Sequence, residues 1–198
     1  METPRNSVLV VDDDSTIRLG FRSLLEEYGF EVETARDGRE GLNMPPGFTG
    51  PMAEFLDDQS AVRVLEARQF DLLEPGKALV APAPFHRYVE KGDGAHIALS
   101  PEPVDSICSP RIDCTMSSAA NVFGAGVTGV VLSGMAAGSD CIKGAEAIRE
   151  SGGRVLTQAR EGCTCYFMPK AVVDAGYSDA EVSLEQMHER ILAVMGVT

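Results

Sequence analysis

Short, fully apolar runs alternate along the chain with longer stretches in which apolar residues recur every three or four positions. The first run, "VLVV" at residues 8–11, is typical of a strand buried on both faces of a parallel sheet. Residues 15–28 then change to a helical period, and "FEVETA" at 30–35 predicts a second strand. The apolar stripe of the helix consists of Ile17, Phe21, Leu24, Leu25 and Tyr28. The chain therefore opens as strand, helix, strand, the order with which parallel α/β folds begin.

The same alternation continues through the rest of the chain. Further strands are predicted at residues 62–67, 77–83, 96–100, 127–133 and 154–159. Helices are predicted at about 49–58, 111–123 and 140–150, followed by a closing helix. One face of that closing helix carries Leu184, Met187, Ile191, Leu192 and Met195. We predict an α/β fold with one mainly parallel sheet and helices on both faces, a three-layer, Rossmann-like arrangement.

Composition and charge narrow the function by exclusion. Hydrophobic residues make up 44% of the 198 residues and charged residues 24%, which predicts a folded domain and not a disordered tail. The net charge of −13 leaves no basic module for phosphates, so we expect neither nucleic-acid binding nor docking on an anionic membrane. No apolar run is long enough for membrane insertion and no signal peptide is recognisable, which predicts a cytoplasmic protein.

The cysteines and histidines offer only weak metal chemistry. Five cysteines, an odd number without an export signal, are expected to be reduced. Cys163 and Cys165 could supply two metal ligands, but no nearby histidine or cysteine completes a recognisable set, so free thiols are the expected state. We expect His86, His96 and His188 to be structural or solvated.

The N-terminal segment resembles part of a response-regulator receiver domain. "VLVVDDDST" with its helix resembles the first strand and helix of that family, and "ARDGREGL" resembles its second helix. The resemblance implies that Asp12 and Asp13 help to hold Mg²⁺ at the strand end, with solvated carboxylates as the alternative. No third strand with a phosphoacceptor aspartate follows. Asp57 lies at about the right sequence distance from Asp12 and Asp13, but it falls in a helical stretch, so we interpret that distance as a coincidence. Residues 1–42 are therefore predicted to be a partial receiver-like segment.

The rest of the chain resembles the chemotaxis protein-glutamate methylesterases. The matching segments, in order, are "MPPGFTGPMAEFLD", "EPGKALVAPAPFHRYV", "PRIDCTMSSAANVFG", "GVVLSGMAAGSDCIKGAEAI" and "GGRVLTQAREGCTCYFMPKAVVDAGYSD". Residues 43–198 are therefore predicted to be a portion of the methylesterase catalytic domain. That family hydrolyses glutamate methyl esters on chemoreceptors with a Ser-His-Asp triad on a parallel α/β sheet, so the resemblance implies no required cofactor.

The resemblance carries over to individual site residues unevenly. Asp140 matches the triad aspartate, in a loop two residues longer than the usual one. Met135, in the turn after the strand at 127–133, occupies the position of a backbone donor for the oxyanion. Asn43 stands where the family has its histidine. Because an amide cannot take up a proton near neutral pH, the base is missing from its expected position.

The nucleophile is the least well matched residue. The family places it in a glycine-rich turn after its first strand, where this chain has the receiver-like strand followed by Ser15. Ser15 is either the cap of the following helix or a weak nucleophile candidate. Three aspartates directly precede it, and their negative field opposes both an alkoxide and a developing oxyanion.

Three hypotheses follow from this uneven match. The first is a chemotaxis methylesterase by descent whose hydrolysis is impaired, with methyl-accepting chemoreceptors as partners. The second is a non-catalytic module of the same fold that binds receptors or a chemotaxis histidine kinase. The third is a truncated gene, in which an internal deletion joined two similar Met-Pro motifs, since the receiver matches stop and the methylesterase matches begin within one loop.

Overall fold

The structure is a computed structural model, and it describes residues 7–11, 19, 22–23, 26–27, 31–35, 49–82, 85–100, 111–134 and 140–196. The chain divides into two compact units, which are described one after the other. The first comprises residues 1–68 and 74–85, and the second comprises residues 69–73 and 86–198.

In the first unit, the two N-terminal strands form where the apolar pattern predicts them. Strand β1 (Ser7–Val11) runs parallel to β2 (Glu31–Ala35). Between them, the described residues Leu19, Arg22, Ser23, Glu26 and Glu27 are helical and exposed. The apolar stripe predicted for this helix lies outside the described residues. The predicted strand, helix, strand order is thus confirmed where the structure describes it.

The first unit continues with helix α1 (Thr49–Gln59) and the parallel strands β3 (Arg63–Glu66) and β4 (Lys77–Val80). Asp57 has a structural role in this unit, because its Oδ1 accepts a hydrogen bond from the Val64 amide at 2.6 Å. The Thr49 hydroxyl makes a second link by donating to the Glu66 carboxylate. These contacts join both ends of α1 to β3.

The second unit contains an antiparallel hairpin, of which the sequence pattern predicted the second strand, at 96–100, but not the first. Strand β5 (His86–Gly92) pairs with β6 (Gly94–Ser100), and only Asp93 separates the two strands. Two strands joined by so tight a turn must run antiparallel, because a parallel pair needs a long crossover. Gly94 has φ +129°, a backbone conformation that L side chains rarely adopt. The Asp-Gly pair was the available hairpin signal in the sequence.

Helix α2 (Ile112–Phe123) packs along the edge of β5 that β6 leaves free. The Thr115 hydroxyl donates to the Arg87 carbonyl at 3.2 Å, and the Val89 amide donates to the Ser118 hydroxyl at 2.9 Å. Two hydroxyls on one helix face thus satisfy backbone groups that another strand would otherwise pair. This packing fixes α2 against the hairpin.

The remaining strands, β7 (Thr128–Val131), β8 (Arg154–Gln158) and β9 (Ala180–Val182), form a parallel sheet in that order. Helix α3 (Ile142–Glu150) connects β7 to β8, and helix α4 (Phe167–Asp174) connects β8 to β9. The sequence pattern identified neither α4 nor β9, both of which are short. Helix α5 (Leu184–Val194) closes the chain.

Helices cover both faces of this parallel sheet. On β8, Val155 belongs to a buried cluster with Ala145 and Ile148 of α3. The next residue, Leu156, packs on the opposite face with Met187 of α5. Because successive strand residues point to opposite faces, the predicted layering of a parallel sheet between helices is confirmed.

The apolar stripe of α5 is only partly buried. Met187 lies in the core and Ile191 packs against it, whereas Leu184, Leu192 and Met195 are exposed. The expected stripe is therefore wider than the surface that the sheet covers. Within the described ranges, no helix has the length and apolar character needed to cross a membrane.

Candidate functional site

The candidate site lies where β7 and β8 end, the edge of a parallel sheet at which such folds place their sites. Ser133 and Gly134 follow β7, and Gln158 is the last residue of β8. The Ser133 amide donates to the side-chain oxygen of Gln158 at 2.8 Å. The Gln158 side chain is buried, so this bond fixes the direction in which the chain leaves β7.

The turn after β7 is also held from the other side. The Gly134 amide donates to the Cys165 carbonyl at 2.9 Å, and the Cys165 amide donates to the Ser133 hydroxyl at 2.9 Å. A Cβ on Gly134 would lie 2.5 Å from the sulfur of Met168, so a larger residue here would require the Met168 side chain to shift. Met135, the predicted backbone donor, lies outside the described residues.

Asp140, the predicted triad acid, is buried and holds the start of α2. Its Oδ2 accepts the Ile112 amide at 2.9 Å and its Oδ1 accepts the Asp113 amide at 3.0 Å. The residue before the helix, Arg111, makes no capping bond with its own side chain. Asp140 therefore satisfies two helix amides that no local residue satisfies.

Asp113 does the same for α3 in return. Its Oδ1 accepts the Gly144 amide, in the first turn of α3, at 2.7 Å. Cys141, which precedes α3, provides no capping bond. A Cβ on Gly144 would lie 2.5 Å from the Cβ of Met116, which shows how closely the two helices pack here. The N-termini of α2 and α3 thus cap each other through two buried aspartates.

The electrostatics of this cluster are set mainly by burial. Burial raises the pKa of Asp113, and the neighbouring Asp140 charge raises it further, while the Gly144 amide and the Arg111 guanidinium act in the opposite direction. Arg111 lies 3.5 Å from Asp113 and 3.9 Å from Asp140. Burial and the charges of both aspartates raise the pKa of Cys141 to about 12, so its thiol stays protonated and is a poor nucleophile.

His86 completes the support of α2. It is only 1% exposed, and its Nδ1 accepts the Arg111 amide at 3.0 Å. An accepting Nδ1 places the ring proton of the neutral imidazole on Nε2. His86 therefore has the structural role expected from the sequence.

The sequence analysis did not identify Asp113 as a site residue. An acidic residue at the start of a helix is common, and its residue type does not reveal a hydrogen bond to a second helix.

The structure describes one of the predicted site side chains, that of Asp140. The others, Asn43, Ser15, Asp12 and Asp13, lie outside the described residues, as does Met135. The other two histidines have surroundings typical of structural or solvated residues. The His96 ring lies 5.9 Å from that of Phe70, and His188 is exposed on α5.

The cysteines that the structure describes, Cys114, Cys141, Cys163 and Cys165, are free thiols. In the described part of the chain, no three or more histidine, cysteine, aspartate or glutamate residues lie together as metal ligands would. The predicted Mg²⁺ ligands fall outside that part. The described site thus consists of a buried carboxylate cluster, a fixed turn and the sheet edge between them.

Comparisons with known proteins place these features in a family context. The family described as "CheB methylesterase" matches residues 42–191. A "Protein-glutamate methylesterase/protein-glutamine glutaminase 1" of Oleidesulfovibrio alaskensis is 38% identical over 151 residues, covering 76% of this chain and 40% of that protein. The corresponding protein of Moorella thermoacetica is 38% identical over 155 residues, covering 77% of this chain and 36% of that protein.

A solved structure agrees with these sequence matches. The crystal structure of the Thermotoga maritima CheB methylesterase catalytic domain superimposes with a TM-score of 0.71 and 26% identity, covering 100% of both chains. The present chain spans about two fifths of the length of the curated relatives it matches. The similarity therefore concerns the catalytic-domain portion of those longer proteins.

Proposed function

This chain belongs to the CheB methylesterase family, and from that premise we propose that it acts in chemotaxis signalling on glutamate side chains of chemoreceptors, with impaired hydrolysis. The relatives are named as glutamate methylesterases and glutamine glutaminases. The substrate class is accordingly a glutamate side-chain methyl ester or the corresponding primary amide. Both reactions attack a carbonyl and require a nucleophile, a base and an oxyanion donor.

The observation that carries this proposal is a mismatch between two site positions. Asp140 is 6% exposed at the carboxyl edge of the sheet, and two backbone amides hold it rigidly, as an acid that orients a base needs to be. The base position itself holds Asn43, whose amide cannot take the proton of a nucleophile. A site with its acid and without its base supports weak hydrolysis at most.

The oxyanion donor and the nucleophile also differ in how well the observations support them. The fixed turn at Ser133 and Gly134 supports Met135 as the backbone donor, because a donor has to be held in place before the reaction. Ser15 is the weaker member of the proposal. Three adjacent aspartates disfavour its alkoxide, and it serves equally as a helix cap.

The contacts of Asp140 also favour a second candidate function. Because Asp140 and Asp113 join α2 to α3, Asp140 has a structural role that does not depend on hydrolysis. The alternative is therefore a non-catalytic module of the same fold that binds chemoreceptors or a chemotaxis histidine kinase.

The organisation of the chain is proposed on the same basis. We propose that residues 1–42 are a partial receiver-like segment joined to a methylesterase portion at 43–198, with an internal deletion as one origin of the junction. No cofactor is required in this proposal, and Asp12 with Asp13 would bind Mg²⁺ only weakly. The expected compartment is the cytoplasm, where the receptor tails and the kinase are found.

The test is release of methanol from methyl-esterified chemoreceptor by the purified chain. An intact methylesterase is assayed in parallel, and the Asp140→Asn variant, which keeps one acceptor oxygen for α2, is the matched control. We expect release at least about 10³-fold slower than with the intact enzyme, because loss of one triad member costs several powers of ten.

Two other results would change the conclusion. Release near the rate of the intact enzyme that disappears in Asp140→Asn would disprove impairment and make Ser15 the next residue to mutate. No release at all, with circular dichroism of a folded α/β protein and binding to receptor, would favour the non-catalytic module.

A further inference from the structure

One face of the β5–β6 hairpin combines a cation with apolar residues. Val89 and Ile97 lie opposite each other on this face and are 7% and 4% exposed. The next pair on the same face is Arg87 opposite Leu99, because residues two apart along a strand share a face. The guanidinium of Arg87 therefore occupies a position at which the alternation of buried residues along the strand predicts an apolar side chain.

One nitrogen of this guanidinium has no hydrogen-bond partner among the described residues. The Nε of Arg87 is buried without a hydrogen-bond partner, and it is the one buried side-chain polar atom in this condition in the part of the chain that the structure describes. Burial lowers the pKa of Arg87 to about 10, with no compensating carboxylate contribution. The Thr115 hydroxyl contacts the residue only at its backbone carbonyl.

A buried cation without a partner is costly, because desolvation is not offset by attraction to an anion. Other enclosed charged groups in this unit have partners. Asp140, for instance, accepts two amides, and Asp179 binds two arginines. Within the described residues, the unpartnered nitrogen of Arg87 is an exception, and a ligand from outside the chain would satisfy it. Arg87 as a residue is half-buried, and among its guanidinium nitrogens only Nε is both enclosed and unpartnered.

We propose that Arg87 anchors a binding site for a monocarboxylate on this face of the hairpin. A guanidinium presents parallel N–H donors that match the two oxygens of a carboxylate. A single positive charge balances a monoanion, whereas a phosphate dianion would leave excess negative charge in a chain of net charge −13. The site does not depend on ester hydrolysis, so it stands or falls separately from the proposed enzymatic activity.

Thermal unfolding tests the proposal with acetate as the probe. Sodium acetate is titrated against sodium chloride at constant ionic strength, for the wild-type chain and for Arg87→Met, which is apolar and similar in length. We expect a saturable rise in Tm of about 2–4 °C for the wild type and none for the variant. In chloride alone, Arg87→Met should unfold at a higher Tm than the wild type, because an unpaired buried charge has been removed.

Several results would overturn the site. A lower Tm or failure to fold for Arg87→Met would mean that the guanidinium has a native partner. Equal acetate shifts in both chains would mean a general salt effect. Inorganic phosphate stabilising the wild type more than acetate does would refute the monocarboxylate assignment.

A second variant and a direct spectroscopic readout do not depend on the fold of the methionine variant. Arg87→Lys keeps the charge and loses the planar pair of donors, so we expect it to lose most of the acetate effect. The Nε–H resonance of Arg87 in ¹⁵N-labelled wild type should shift on acetate addition and remain unchanged with chloride. An unchanged resonance at saturating acetate would refute direct contact.

Discussion

Aspartates stabilise both edges of the β7–β8–β9 sheet, but by different means. At the carboxyl edge, Asp140 and Asp113 are buried and accept three backbone amides between them. At the amino edge, Asp179 binds Arg149 at 2.5 Å and Arg154 at 3.3 Å, and it accepts one amide, that of Val155, at 2.7 Å. The first edge relies mainly on oriented amide dipoles, with Arg111 at 3.5 Å from Asp113 and 3.9 Å from Asp140, whereas the second relies mainly on counter-charges in closer contact.

The difference matters for chemistry. A carboxylate held by amides keeps its negative charge available to a neighbouring group. A carboxylate whose charge is neutralised by two arginines interacts only weakly with a further group. Asp140 can therefore orient a base where one is supplied, and Asp179 cannot. The stabilising role of the carboxyl edge can be measured separately from any catalysis, because it rests on the amide bonds of Asp140 and Asp113.

The largest expected effect is that of Asp140→Ala. The substitution leaves the Ile112 and Asp113 amides of α2 without acceptors, and we expect the free energy of unfolding to fall by about 2–4 kcal/mol. Urea unfolding followed by circular dichroism measures the change. Asp140→Asn, which retains one acceptor oxygen, should lose less. A loss below about 0.5 kcal/mol would show that water or another side chain replaces Asp140 at the helix start.

Asp179→Ala should have a smaller effect with a different dependence on salt. We expect a loss of about 1–2 kcal/mol at low ionic strength, since one amide bond and two partly exposed ion pairs disappear. Measured again in about 1 M NaCl, this loss should shrink, because salt screens the arginine pairs. The loss caused by Asp140→Ala should change less in the same experiment, because two amide bonds account for most of it and the pair with Arg111 is longer. If both losses respond equally to salt, the distinction between the two edges is wrong.

The strands and helices of the fold were predicted from the sequence to different extents. Fully apolar runs and helical periods located β1, β2, β8 and α2, because burial against neighbours imposes those periods on the residues themselves. Strand β6 was predicted in part, at 96–100, whereas β5 was missed because the exposed segment from Glu90 to Asp93 carries no apolar alternation. Strand β9 has three residues, too few for any period to be recognised.

The site was harder to predict than the fold. Asp140 was singled out through a motif, and its role in a catalytic site stays a prediction. The pairing of Asp113 with Gly144 joins residues 31 positions apart in sequence, and neither residue type implies the other. The same holds for the bond from Arg111 to His86, across 25 positions. Such contacts depend on how two helices and a hairpin pack, which local patterns do not encode.

At the carboxyl edge, the contribution of Asp113 to the free energy of unfolding is expected to depend on pH. The pKa of Asp113 is raised above 3.8 by burial, so the folded chain holds this proton more tightly than the unfolded chain does. Its contribution to stability is therefore fully present below pH 3.8 and is lost as the pH rises through the raised pKa. Asp113→Asn keeps an acceptor oxygen for Gly144 and does not ionise. We expect its stability relative to the wild type to improve as the pH rises through this window.

This pH effect is measured as the difference in unfolding free energy between Asp113→Asn and the wild type, in urea series from mildly acidic to neutral pH. Carboxyl groups remote from Asp113 contribute equally to both chains and cancel in the difference, whereas Asp140, whose charge acts on Asp113, is part of the measured effect. Asp179→Asn serves as the control at the other edge. A difference for Asp113→Asn that is flat with pH, or that falls as the pH rises, would contradict the assignment.

The smallest expected effect concerns Cys141, which lies between Asp140 and the start of α3. Its φ of +85° is a left-handed conformation that favours glycine, although its side chain is fully buried. Cys141→Ala keeps this strain and loses the sulfur, whereas Cys141→Gly loses the sulfur and removes the strain. We therefore expect Cys141→Gly to be more stable than Cys141→Ala by about 1 kcal/mol, measured by urea unfolding. At Ala145, in the interior of α3, the order should reverse, and Ala145→Gly should cost about 1 kcal/mol or more. If glycine is the less stable residue at both positions, Cys141 is not strained, and the turn that presents Asp140 to α2 is relaxed.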